Sequence, residues 1–145
     1  MSWRDAIDEA LDETPRGVVQ VSGPGGASAE LDVQDSGPIG ARVRRVRLTH
    51  AEDRDIDHEA SRLGEALRAL PHAVHPSEVA PDLGGAILRS RPDEMRSPDF
   101  FEVKVDGPRD VEVRRYRLGD DLDRQPADFD VTREGLGQLL DELDG

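Results

Sequence analysis

The 145-residue sequence contains no cysteine, which excludes disulfide bonds, thiolate metal sites and cysteine nucleophiles. It also lacks asparagine, and aromatic residues make up only 3% of the chain. No apolar run approaches the roughly 18 residues that a membrane-spanning helix needs. The first residues, MSWRDAIDEALDE, lack the basic start and apolar run of a signal peptide. We therefore expect a cytoplasmic protein with no membrane partner.

Acidic residues dominate the charge balance, with 32 aspartates and glutamates against 19 basic residues and a net charge of -13. Such a charge repels the phosphates of nucleic acids and anionic lipid head groups. Nucleic acids and membrane surfaces are therefore not expected as partners.

The choice of charged residues is also unusual, because Lys104 is the single lysine and the other basic residues are arginines. This composition resembles that of cytosolic proteins of halophilic archaea, in which abundant surface carboxylates hold water and cations in molar salt. The resemblance extends over the whole chain and implies a protein that folds in high salt.

Two stretches of the sequence are closely alike. Residues 33–48 read VQDSGPIGARVRRVRL and residues 103–118 read VKVDGPRDVEVRRYRL, with eight of the 16 positions identical. An internal duplication explains this similarity better than chance.

Apolar periodicity and turn residues predict the elements around both stretches. Ser2 is a candidate N-cap of a first helix, Thr49 of a second helix that stops before Pro71, and Asp130 or Thr132 of a last helix. Residues 71–84, with three prolines, and the polar residues after 118 are expected to form loops. The predicted strands are residues 17–22, 29–34, 41–48, 85–90, 101–106 and 111–118.

The element order is α-βββ-α-βββ-α, in one domain over residues 1–145. It comprises an additional helix at residues 2–14 and pseudo-repeats at residues 17–70 and 85–143. Strands with one polar face predict an α+β fold, with one antiparallel sheet or two and helices packed on one face. The order resembles that of secretion-chaperone-like folds, which implies a homodimer that binds a partner polypeptide.

Paired arginines occur in both pseudo-repeats, at Arg44-Arg45 and Arg114-Arg115. In each strand the apolar alternation slips by one residue there, which predicts a β-bulge. The pairs could bind an anionic ligand or an acidic partner, because arginine offers bidentate hydrogen bonding. They could instead pair with carboxylates of neighbouring strands. The candidate carboxylates are Glu30, Asp32, Glu102 and Asp106.

Other polar residues provide weaker signals. His72, His75 and Glu78 have side chains that suit zinc, but Pro71 and Pro76 bracket the histidines and no fourth ligand is near. No serine has a GxSxG setting. We therefore predict no metal, no cofactor and no catalytic residues.

The second predicted helix has a polar face opposite its apolar stripe, and this face is expected to be solvated. His50, beside Thr49, is expected to neighbour the helix cap rather than to act as a base. The polar face consists of Glu59, Arg62, Glu65 and Arg68.

These observations favour a non-enzymatic binding or protein-interaction module of a halophile, working as a homodimer with a possible protein partner. The contact surface would be a sheet face or an edge strand. The alternative is a small enzyme or anionic-ligand-binding protein that uses the paired arginines in a cleft between the repeats.

The charge balance generates a first prediction. Self-repulsion of the carboxylates is screened in molar salt and unscreened in dilute buffer, so the protein should lose structure on dialysis to low salt. Circular dichroism can follow this loss. A signal unchanged between molar and ~10 mM salt, where the Debye length grows from about 3 to 30 Å, would contradict it.

Overall fold

The computed structural model describes residues 2–71, 73–90, 99–119 and 123–145. These residues form three α-helices and nine strands. The helices are α1 (Trp3–Glu13), α2 (Ile56–Ala66) and α3 (Arg133–Asp144). The strands are β1 (Gly17–Ser22), β2 (Ser28–Ser36), β3 (Gly40–Thr49), β4 (Val74–Ala80), β5 (Gly85–Ser90), β6 (Asp99–Asp106), β7 (Asp110–Leu118), β8 (Arg124–Ala127) and β9 (Phe129–Thr132).

All nine strands belong to one antiparallel sheet with the order β1-β2-β3-β7-β6-β5-β4, in which β8 pairs with β7 and β9 pairs with β3. The meanders β1-β2-β3 and β5-β6-β7 therefore lie side by side and meet at β3 and β7. The sheet and the helices on one of its faces confirm the predicted α+β fold, and the open choice between one sheet and two is decided in favour of one.

The helices pack on the apolar face of the sheet, and α1 and α3 run antiparallel. Arg133, at the start of α3, donates to Asp12 at 2.9 Å and to Asp8 at 3.2 Å. At the other end, Trp3 Nε1 donates to Asp144 Oδ2 at 3.1 Å. These contacts hold the first and last helices together over the sheet.

The observed N-cap residue agrees with the prediction for two helices and differs from it for the third. Ser2 and Asp5 form the predicted capping box, and Thr132 accepts from the Gly135 N–H at 2.9 Å. Thr49 does not cap α2, because it ends β3 and donates to Asp110 Oδ1 at 2.7 Å. Asp55 caps this helix instead.

Strand β4 lies where the sequence predicts a loop. The three prolines of residues 71–84 argue against a central strand, but an edge strand tolerates proline because one side of it makes no ladder hydrogen bonds. Pro76 lies in this edge strand, and the pairing with β5 shifts register between Pro76 and Glu78.

Strands β8 and β9 were also predicted as loop. Each has four residues, too few to show alternation, and their pairing partners β7 and β3 lie elsewhere in the chain. Consecutive in the chain, they diverge in a V shape, with β8 beside β7 and β9 beside β3.

Packing around Trp3 generates a second prediction. A Cβ added at Gly23 would lie 2.2 Å from Cη2 of the fully buried Trp3 ring. Gly23→Ala should therefore lower the free energy of unfolding by about 1–3 kcal/mol through overpacking, measured by chemical denaturation in high salt. Gly37→Ala is the control, because its added Cβ would meet no atom within 4 Å. Equal stability of the two variants would contradict the prediction.

Candidate functional site

The centre of the sheet is a fork between β3 and β7. The two strands pair from Thr49 and Asp110 as far as Arg45 and Arg114. Beyond this point they separate, and β9 borders β3 while β8 borders β7. Asp128 lies between β8 and β9, where the chain reverses direction. This reversal lies at the fork. The structure thus brings both arginine pairs to the place where the strands part.

Arg45 and Arg114 lie opposite each other on the face of the sheet that carries no helix. Like charges placed so are unfavourable unless carboxylates intervene. Glu112 does so, with its Oε1 3.0 Å from Arg114 Nε and 3.6 Å from Arg45 Nε. Arg45 also forms an ion pair with Glu30.

Arg44 lies at the predicted β-bulge of β3. Asp32 pairs with Arg45 and Val33 with Val43, so Arg44 is the extra residue. Its Nε donates to Asp128 Oδ1 at 3.0 Å. The bulge predicted at Arg44-Arg45 is therefore confirmed.

The bulge predicted at Arg114-Arg115 is wrong. Strand β7 pairs with β6 in a constant register, so alternation continues through the arginines. Arg115 lies opposite Phe101 on the helix side, and Tyr116 faces the open side. There Tyr116 stacks on Phe100, with ring centroids 5.7 Å apart. This contact gives an apolar neighbour to Tyr116, the residue whose position suggested a slip in the apolar alternation.

Arg115 forms an ion pair with Asp99 and donates to the Asp128 carbonyl at 3.4 Å. Arg117 also donates to Asp99, at 2.9 Å. Hydrogen bonding from Arg117 outweighs partial burial and, with Arg115, holds the pKa of the Asp99 carboxyl below its usual range.

The four predicted site residues therefore cluster along the chain fork but not in one cleft. Arg44, Arg45 and Arg114 lie on the open face, and Arg115 lies on the helix face. Arg45, Arg114 and Arg115 each contact a carboxylate of the same sheet, and Arg44 contacts Asp128, between β8 and β9. Of the other expected partners, Asp106 pairs with Arg47, and Glu102 pairs with Arg89 and Arg124.

A cavity of about 210 Å³ lies beside Arg115, between the sheet and α3. Its walls combine apolar side chains with the charged residues Asp99, Arg115 and Asp130. A wider, shallow depression of about 540 Å³ lies near Asp35 and Arg42. Of these two spaces, the smaller is the one bordered by a predicted site residue, Arg115.

A second cluster of charges, at the end of β3, was missed from the sequence. Glu59 is 2% exposed rather than part of a solvated face. It accepts from Arg62 at 2.8 Å and Arg54 at 3.2 Å, and its Oε2 lies 3.1 Å from Nε2 of buried His50. Arg62 also donates to the Glu142 and Leu143 carbonyls at 2.8 and 2.9 Å, which joins α2 to α3.

Two opposing effects act on Glu59. Burial disfavours its charge, but hydrogen bonds from His50, Arg62 and Arg54 outweigh burial and lower its pKa well below the ordinary 4.5. The only sequence signal for this cluster is the Glu59–Arg62 spacing of three, which is shared with ordinary surface pairs.

The metal-ligand candidates do not converge in the described ranges. His75 and Glu78 are exposed on β4, and His72 lies outside the described residues. Within those residues there is no group of three or more histidine, aspartate or glutamate side chains placed to hold a metal ion.

Comparisons of this chain with protein-family models, curated proteins and solved structures find no match. In the part of the chain that the structure describes, no helix has the length and apolar character needed to cross a membrane.

The Glu59 cluster generates a third prediction. Glu59→Gln leaves two arginines without their shared carboxylate and should lower the free energy of unfolding at neutral pH by about 3 kcal/mol. Because the pKa of Glu59 is lowered by folding, its ionised form stabilises the fold above pH 4.5. That advantage is lost as the pH falls through the lowered pKa, so the variant and the parent should converge in acid.

Urea unfolding in high salt at a series of pH values measures this difference. Glu65→Gln is the control, because Glu65 is exposed on the same helix. A Glu59→Gln effect as small as that of the control, or one independent of acid pH, would contradict the role given to the cluster.

Proposed function

We propose that this chain is a non-enzymatic protein-interaction module of a high-salt cytoplasm, and that it works as a homodimer through the edge strand β1. The observation that carries the proposal is a difference between β1 and β4, the strands at the two ends of the sheet order. One edge has several features that prevent pairing with another chain, and the other has none of them.

The β4 edge is protected. Pro76 removes a backbone donor, the register shift between Pro76 and Glu78 interrupts the strand, and His75 and Glu78 are exposed polar side chains. Proline, irregularity and charge are the usual means by which proteins keep sheet edges from pairing.

The β1 edge, GVVQVS, has no proline and no charged residue, and it pairs with β2 in a constant register. Val18 is 58% exposed on it. The Gly23 N–H donates to the Ala27 carbonyl at 2.9 Å, which fixes the alternation of the ladder with β2. Val18, Gln20 and Ser22 therefore direct their backbone groups away from β2.

A second copy of the chain fits this edge. Antiparallel pairing about a two-fold axis at Gln20 places Val18 of one copy opposite Ser22 of the other, so that the outward donors and acceptors meet. Val19 and Val21 would extend the buried side of the sheet across the axis. Because β1 carries no carboxylate, two acidic chains can approach there with the least local repulsion.

We also propose that the two meanders arose by duplication. The sequence offset of 70 residues maps Arg44 onto Arg114 and Arg45 onto Arg115. In the observed pair Arg45–Arg114, exchanging each residue for its equivalent in the other repeat gives Arg115 and Arg44. These two residues would form the next pair in the same register. A pseudo-two-fold axis between β3 and β7 accounts for this arrangement, and β8 and β9 interrupt it on one side.

The fourth prediction tests the β1 interface. Gln20→Pro removes an outward N–H that β2 does not use, so it should convert a dimer into a monomer while the fold persists. Sedimentation velocity in molar KCl at micromolar protein measures the mass, and circular dichroism checks the fold.

Gln20→Ala is the matched control, because it keeps the backbone N–H and should remain dimeric. A parent protein that is monomeric under these conditions overturns the homodimer. A folded Gln20→Pro variant that is still dimeric overturns the assignment of the interface to β1.

A further inference from the structure

A polar pocket of about 190 Å³ lies on the open face of the sheet, over β6, β7 and β8. Side chains two residues apart in a strand share a face, which brings alternate residues of β6 and β7 together here. The pocket is separate from the cavity between the sheet and α3. The residues that line it are Glu102, Lys104, Glu112, Arg114, Tyr116 and Arg124.

The two carboxylates of this pocket are more buried than its arginines. The side chains of Glu102 and Glu112 are 6% and 12% exposed, whereas those of Arg124 and Arg114 are 46% and 32% exposed. Glu102 accepts from Arg124 at 2.5 Å and from Arg89 at 3.0 Å. Glu112 accepts from Arg114 at 3.0 Å. The groups that solvent meets in the pocket are therefore mainly cationic.

Several hydrogen-bond donors at the pocket are accessible and unused. Arg114 bonds to Glu112 through its Nε, and within the described ranges its two terminal nitrogens have no acceptor. These nitrogens are not buried, in contrast to the Nε atoms of Arg45 and Arg115. Lys104 is exposed, and none of the described carboxylates forms an ion pair with it. Both side chains can therefore donate to a molecule that enters from solvent.

Two contacts hold the third cation, Arg124, at the pocket. Its guanidinium carbon lies 4.4 Å from the centroid of the Tyr116 ring, a cation–π contact, and its Nη1 donates to Glu102. The Tyr116 ring is itself stacked on Phe100. A guanidinium held in this way loses less conformational entropy when it binds a ligand.

The local charge of the pocket is opposite to that of the whole protein. Lys104, Arg114 and Arg124 outnumber the two carboxylates, although the chain has a net charge of -13. Arg89 adds a further cation beside Glu102. Lysine and arginine donate charge-assisted hydrogen bonds to oxyanions, and phosphate is a preferred partner of both. This surplus therefore favours an anionic ligand at one place on an acidic protein.

We propose that this pocket binds a small molecule that carries a doubly charged oxyanion, such as a phosphate monoester. Its oxygens accept hydrogen bonds from Lys104, Arg114 and Arg124. Of the four arginines predicted from the sequence, the site uses Arg114 alone. It lies within one chain, so it does not depend on the β1 interface.

A matched pair of probes tests the charge of the ligand. Methyl phosphate is a dianion at pH ~8, above the monoester pKa of about 6, whereas dimethyl phosphate keeps a single charge. Titrations of the folded full chain at constant ionic strength in molar KCl are followed by amide chemical shifts. Methyl phosphate should give saturable shifts in β6, β7 and β8, with an affinity about tenfold higher than that of dimethyl phosphate.

A pair of variants tests the position of the site. Lys104→Gln removes an exposed cation without releasing a described carboxylate, so the fold should persist while the affinity for methyl phosphate falls about tenfold. Arg68→Gln is the matched control. Arg68 is also exposed and has no ion pair among the described residues, but it lies after α2 and outside the pocket. Its replacement should leave the affinity unchanged.

Three results would overturn the proposal. They are the absence of saturable shifts with methyl phosphate, binding of dimethyl phosphate that is equally tight, and a Lys104→Gln effect no larger than that of Arg68→Gln.

Discussion

The antiparallel contact between β3 and β7 is the constraint on which the rest of the structure depends. Each meander is a three-stranded unit with one apolar face, and the contact makes the two faces continuous. Val46 and Leu48 of β3, and Val111 and Val113 of β7, are all buried there. The helices then cover a single surface, so α3 can reach both β3 and α1. Separate meanders would each need a cover of their own.

This contact is also where like charges crowd in an otherwise acidic protein. Arg45 faces Arg114, and the fork adds Arg44 and Arg115 within the next position of each strand. The strands resolve the crowding in two ways. Glu30 and Glu112 neutralise the open face, and the insertion of β8 and β9 brings Asp128 between the separating strands. The arginines are thus explained as part of the sheet, and the Nε atoms of Arg45 and Arg115 are buried there without an acceptor.

Sequence reasoning predicted the features that depend on nearby residues. The alternation of β2 and β6, the capping box at Ser2 and the bulge at Arg44 are local patterns, and they are present. Strand β4 was missed because its prolines are tolerated only at an edge, and edge position is a property of the whole sheet. The burial of Glu59 was missed for a similar reason: helical spacing cannot show that His50 and Arg54 approach from the segment between β3 and α2. Arg115 lies on the helix face because Tyr116 packs against Phe100 of the neighbouring strand on the open face. The similarity of β7 to β3 suggested a bulge there instead.

The packing of Trp3 gives the protein a built-in optical reporter. It is the sole tryptophan of the chain, it is fully buried against Gly23, and it bonds to Asp144 at the far end of α3. Its emission therefore comes from one contact region, which we call the Trp3 joint, where the first helix, the first hairpin turn and the last helix pack together. Tryptophan fluorescence of this protein reports the closure of that joint, without a label and without a contribution from any second indole.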